Sequence, residues 1–374
     1  MTAFSGSFST VDLDDPEALL AADHDGALWA ASMAGAQVRA TGATVDEGAL
    51  DIVRSDAGDY PPRTVIWLST RGAAVTAGTL LAAARGASAR TPLVAAAEVP
   101  SWIGSLDVLI VAGDDPGDPA LVAGAAAGVR RGARVVVVAP FEGPLRDATA
   151  GRVAVLEPRI PVAAEYGLQR YLAAGLAVLD ALGLSGGDPT DLGALADELD
   201  AEALRNSAAR ELFTNPAKLL ADRIVGRDVA LVGDCAATLE LARHGAAAML
   251  RIGRSTVAAA GLADAVSALR ARSAAGRDVA DIFHDEQIDG PAAGRLRVLA
   301  LTLAADRTVV AARTAGLPDV DLVGVEDIPV ASGGPAEATA PGAVATGPGG
   351  VEQQLAVLSV RLEMAAAYVG FLRG

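Results

Sequence analysis

VLIVAGDDPGDPALVAG, residues 108–124, decides the fold. Its first six residues form an apolar, β-branched run too short for a helix and polar on neither face, which predicts a strand buried on both sides of a parallel sheet. Asp118 followed by Pro119 then reads as a helix start, an N-capping carboxylate with proline at the first helical position. In an open parallel sheet such a turn faces the ligand, because free N–H groups and the positive end of the helix dipole point out of it. This turn carries three carboxylates of its own, Asp114, Asp115 and Asp118.

The same alternation extends outward on both sides. TVIWLS (64–69) and RVVVVAP (134–140) read as further buried strands, with a weaker one at 92–98. Helical segments at 76–87 and 119–132 join them in βαβ order. A long helical stretch over 161–184 leads into a polar Gly/Asp region, where the domain boundary is expected. The second half repeats the pattern, with helix 216–226, strand 228–233, helix 236–251 and strands at 296–303 and 321–327. Residues 331–350 are so rich in Gly, Pro, Ala and Thr that they predict a mobile loop before a final helix over 351–374. The expected fold is α/β, two three-layer αβα domains with mainly parallel sheets, spanning 1–184 and 185–374.

Charge narrows the partners. The chain has 46 acidic and 30 basic residues, a formal charge of −16, so its long-range field repels nucleic acid and anionic membrane surfaces. Neither is an expected partner. No run of about 18 residues is free of charges and turn residues, so no membrane span is expected. A single cysteine, Cys235, forms no internal disulfide, and with an acidic N-terminal stretch the expected location is cytoplasmic.

Individual residues offer few sites. Asp114, Asp115 and Asp118 read first as a capped turn and second as ligands for Mg²⁺, with a metal-dependent phosphatase as the weakest of the functions considered. Arg71 and Gly72, in the turn after the 64–69 strand, read equally as an anion-facing loop and as an ordinary βα turn. VGDCAATLE (232–240) lacks the glycine spacing of a dinucleotide fingerprint, so no NAD and no other cofactor is expected. The histidines, His24, His244 and His284, are far apart in sequence and read as surface or partly packed residues. Of these His284, beside Asp285 and Glu286, has the best acid–base neighbourhood. No metal site is expected from any of them.

Five stretches, taken in order, resemble one family. They are STRGAAV (69–75), PSWIGSLDVLIVAG (100–113) with GARVVVVA (132–139), Pro158-Arg159 before a long helix, NPAKLLADRIVGRDVALVG (215–233) and the closing YVGFLRG (368–374). Their order and spacing resemble the bifunctional phosphoglucose/phosphomannose isomerases, built from two sugar isomerase (SIS) domains. The resemblance implies a sugar-binding turn at Arg71, Gly72 and Ala73, and a substrate contact at Arg159. It implies a phosphate loop whose hydroxyl residues fall at Ala112, Asp114 and Gly117, with Asp118 at the helix start. The hydroxyls are gone. The family's proton-transferring glutamate falls near Arg251, and its histidine has no counterpart here.

The resemblance therefore implies a degenerate isomerase homologue that acts as a binding or regulatory protein in mannose or glucose phosphate metabolism. Its expected partners are a sugar phosphate or an enzyme of that metabolism, and a second copy of the chain, since SIS sites are commonly completed across a subunit interface. The alternative is an active phosphoglucose/phosphomannose isomerase in which Glu240, His284 or Glu286 supplies the acid–base chemistry.

Overall fold

The computed structural model describes residues 11–55, 60–86, 89–185, 189–274, 296–326 and 350–374. Most of the 331–350 stretch, along with His284 and Glu286, lies outside them. The chain divides into two compact units. Ser32–Ala201 form one, and the described residues before Ser32 join those from Glu202 onward in the other. This grouping differs from the expected division at 184/185, because the N-terminal helices join the second unit and most of the helix after the boundary stays with the first.

The N-terminal unit begins with α3 (Ala34–Asp46), after the short helices α1 (Pro16–Ala22) and α2 (Ala27–Ser32). Its five strands are β1 (Thr64–Leu68), β2 (Leu93–Ala96), β3 (Asp107–Ala112), β4 (Arg134–Val138) and β5 (Ala154–Val155), ordered β2-β1-β3-β4-β5 and all parallel. The weak 92–98 segment does form a strand, β2, at the edge of the sheet. β1 and β3 are buried at every position, as continuous apolar runs in a doubly covered sheet should be. The crossover helices are α4 (Gly72–Arg85), α5 (Pro119–Arg130) and α6 (Gly143–Thr149). The long helix expected over 161–184 is shorter, α7 (Leu168–Ala181), and the unit reaches into α8 (Leu192–Arg205).

Close packing of sheet and helices rests on small residues. Trp67, the bulkiest fully buried side chain, donates Nε1–H to the Ala74 carbonyl at 2.8 Å. A Cβ at Gly78 would stand 2.2 Å from its ring, and one at Gly175 would stand 2.3 Å from Leu81. The glycines of α4 and α7 therefore make room for the indole.

In the C-terminal unit, β6 (Asp228–Gly233), β7 (Ala258–Gly261), β8 (Leu296–Leu301) and β9 (Val320–Val323) are ordered β7-β6-β8-β9, again parallel. The order β2-β1-β3-β4 of the first unit has the same pattern, so the two units repeat one topology. Among the described residues the helices of this second unit include, besides those before Ser32, α9 (Pro216–Ile224), α10 (Ala236–Arg251), α11 (Leu262–Ala274), α12 (Arg307–Thr314) and α13 (Val351–Arg373). Gly233 allows β6 to turn directly into α10, since a Cβ there would lie 2.1 Å from the Leu239 nitrogen. α13 is long and apolar enough to cross a membrane by length and composition, yet it is a core helix of this unit, 83% buried over its most apolar window.

Two buried polar clusters fasten α13. Arg361 donates to both Glu202 oxygens, at 2.7 and 3.2 Å, and to the carbonyls of Gly324 and Val325. His244 on α10 faces Glu363 at 3.0 Å, fully buried, which corrects the reading of His244 as a surface or partly packed residue. The sequence spacing of 119 residues gave no sign of this pair.

Candidate functional site

In an open parallel sheet the ligand crevice forms where successive crossovers leave in opposite directions, outside the carboxyl ends of the strands. In the N-terminal unit that point lies between β1 and β3, because β2 follows β1 on one side and β3 pairs on the other. The turns after these strands, Ser69–Arg71 and Gly113–Asp118, form its rim.

The rim is held together by its own side chains. Asp118 Oδ1 accepts from the backbone N–H of Ala120 at 2.9 Å and of Leu121 at 3.4 Å, capping α5 with Pro119 at its first position. Its other oxygen accepts the Thr70 hydroxyl at 2.7 Å, which joins the β3 turn to the β1 turn. The Thr70 hydrogen bond, followed by the two backbone donors, holds the Asp118 carboxyl below the ordinary aspartate range. Arg71 Nε lies 3.3 Å from Asp114 Oδ1 and Arg71 Nη2 3.3 Å from Asp115 Oδ2. The attraction of Asp114, then the hydrogen bond to Asp115, raises the Arg71 pKa. Asp115 also accepts from the Gly117 N–H at 2.8 Å, closing the loop on itself. All three carboxylates of this loop are engaged with protein donors.

The other positions singled out from sequence fall in varied places. Ala112 is the buried last residue of β3 and Ala73 is buried in α4, so neither side chain reaches the crevice. Gly72 opens α4 at φ +65°, a conformation that favours glycine. Arg159 makes a two-pronged ion pair with Glu47, at 2.8 Å for its Nη1, and this contact pulls the Glu47 carboxyl below its ordinary range. Glu240 lies on α10, in the other unit, paired with Arg243. Sequence reading missed Tyr171 and Arg170 of α7. The Arg170 guanidinium stacks on the Tyr171 ring at 4.2 Å, and burial raises the tyrosine pKa, with Asp114 and Arg71 both close enough to act on it. An aromatic and a cation inside a long apolar helix read only as helix.

Comparison with solved structures identifies the fold as one found among phosphosugar isomerases. Tagatose-6-phosphate ketose/aldose isomerase from Escherichia coli matches with a TM-score of 0.60 at 12% identity, over 94% of this chain and 92% of that one. A protein described as a phosphosugar isomerase from Silicibacter pomeroyi matches with a TM-score of 0.56 at 14% identity, over 91% and 96% of the two chains. The C-terminal domain of glucosamine-fructose-6-phosphate aminotransferase from Francisella tularensis matches with a TM-score of 0.53 at 8% identity, over 96% of each. Identities this low establish the shared fold and leave the activity open. No protein-family model and no curated protein matches by sequence.

Proposed function

We propose that the chain is a degenerate two-domain homologue of the phosphoglucose/phosphomannose isomerases, serving as a binding or regulatory protein in mannose or glucose phosphate metabolism. One observation carries the reading. At the β1/β3 crevice, where the resemblance implies a phosphate clamp, the α5 N–H groups are taken by Asp118 and Arg71 is taken by Asp114 and Asp115. An incoming phosphate would have to displace an internal carboxylate from each cation or N–H donor it needs, and would meet three negative charges on the way. The catalytic positions support the same conclusion, since Arg251 stands near the place of the glutamate. A general acid–base group of this kind contributes about 10² to 10⁴ in rate.

A coupled assay tests it. Purified protein should convert neither fructose 6-phosphate nor mannose 6-phosphate above a blank. Turnover near 1 s⁻¹, abolished by one substitution at Glu240, His284 or Glu286, would defeat the proposal and establish the active isomerase instead. The accompanying proposal of a homodimer predicts twice the chain mass by light scattering at micromolar concentration. A monomer mass would remove it.

A further inference from the structure

All five strands of the first sheet run parallel, so the residues that lead into them meet at one edge of the N-terminal unit, at the far end of the strands from the β1/β3 crevice. Arginine gathers there. Counting the first residue of each strand and the four before it, the edge holds Arg63, Arg90, Arg130, Arg131, Arg134 and Arg152 against a single carboxylate, Asp107. Asp107 is fully buried and paired with Arg63, at 3.0 Å from its Nε. Nearby in the chain, Asp51 and Asp147 each have an arginine beside them, Arg54 at 3.6 Å and Arg146 at 3.5 Å, and Asp56 and Asp59 lie outside the described residues. The same windows in the second sheet hold Arg227, Arg254 and Arg295 against Asp228 and Asp319. A basic edge is therefore a property of the first unit and not of the shared topology. Exposed apolar side chains coincide with it. Among the described residues of this unit, the large hydrophobic side chains left exposed are Ile52, Tyr60, Trp102 and Leu106, all in the chain leading into β1 or β3. Trp102 is 49% exposed with the Arg63 guanidinium 5.4 Å over its ring, Leu106 is 67% exposed, and Arg131 donates to the Ser101 carbonyl next to them.

We infer that this edge docks an acidic segment of a protein partner, which sets an apolar side chain beside Trp102 and Leu106 and its carboxylates on the surrounding arginines. Tryptophan and arginine are residues on which protein interfaces concentrate their binding energy, and an apolar centre inside a polar rim is their usual arrangement. Four gaps between strands about 4.8 Å apart spread the arginines over about 19 Å, which about six extended residues span. In a chain of charge −16, an incoming carboxylate gains attraction only where arginines dominate within a Debye length, about 8 Å at physiological salt. A long polyanion such as nucleic acid reaches beyond this edge into that opposing field, and Ile52 and Leu106 offer its bases no face to stack on. Docking at this end of the strands is independent of whether the β1/β3 crevice admits a phosphate.

Fluorescence anisotropy of a labelled peptide repeating Glu-Glu-Leu, titrated with the full chain, measures the docking; a peptide of glutamate alone and a single-stranded oligothymidylate are the comparisons. The Glu-Glu-Leu peptide should bind saturably with a Kd below about 1 mM, at least about threefold tighter than the glutamate peptide. Arg90→Glu with Arg152→Glu should weaken it at least about tenfold, since two attractions become repulsions, and Trp102→Ser should weaken it at least about threefold. Arg270→Glu with Arg313→Glu, the same change of net charge in the other unit, should leave it unchanged. All of these side chains are exposed, and circular dichroism would verify that each variant is folded. No saturable binding of the Glu-Glu-Leu peptide, equal binding of the glutamate peptide, full binding by either edge variant, or an equal loss in the control pair would each overturn the inference. Oligothymidylate bound as tightly, and lost in the same edge variants, would overturn it in favour of nucleic acid.

Discussion

Replacing Asp118 by alanine removes the cap of α5 and the link between the two crevice turns in one step. The carboxylate satisfies one N–H at good geometry, Ala120 at 2.9 Å, and a second at the long limit, Leu121 at 3.4 Å. Loss of such a cap costs about 0.5–2 kcal/mol. The Thr70 hydroxyl, donating at 2.7 Å, adds about 0.5–1.5 kcal/mol if left without a partner, but both residues are half-buried and water can replace the lost acceptor. A total of about 1.5 kcal/mol is expected at pH 7, read from urea unfolding at constant m-value. The pH dependence gives a second test. The folded pKa of Asp118 is depressed, so its contribution is complete above the unfolded value near about 3.9 and is lost as pH falls through the lower folded value. The difference between parent and Asp118→Ala should therefore shrink in acid. A loss below about 0.3 kcal/mol at pH 7, or one that persists unchanged in acid, would refute the argument that this carboxylate holds the helix start.

The crevice can also be tested by restoring it. Adding Asp114→Ser and Asp118→Thr to the parent chain should create phosphate-dependent thermal stabilisation that the parent lacks; no gain would show that the carboxylates are not what excludes the anion. Gly233→Ala should destabilise the C-terminal unit by about 1–3 kcal/mol in denaturant unfolding, since the added methyl meets the α10 backbone rather than a movable side chain. Glu202→Gln should cost about 3–5 kcal/mol by leaving the buried Arg361 charge without its counter-ion, whereas a double change of Glu202→Leu with Arg361→Met should cost markedly less. Equal losses in the two would mean that packing, not charge pairing, governs this site.

Much of the architecture was legible in the chain alone. β1, β3, β4, β6 and β8 coincide with apolar runs that only a doubly covered sheet accommodates, and the Asp118-Pro119 pair marked the start of α5 because capping depends on neighbours in sequence. The helix over 236–251 appeared with its predicted ends, fixed by local periodicity and a turn at Gly233. Less was readable where the decisive partner is distant. β7, an Ala-Ala-Ala-Gly segment, has no strand composition and exists because β6 offers it a parallel edge. α8 and the early helices were assigned by packing rather than pattern, which is why the units divide elsewhere than composition suggested. At the crevice, sequence supplied the three carboxylates and Arg71. It could not supply their pairing, because Thr70 reaches Asp118 across 48 residues and Arg71 reaches Asp114 across 43. The same holds for His244 and Glu363. Local chemistry is written in neighbouring residues, but which charges neutralise one another depends on strand order, and strand order is settled only when the whole sheet closes its core.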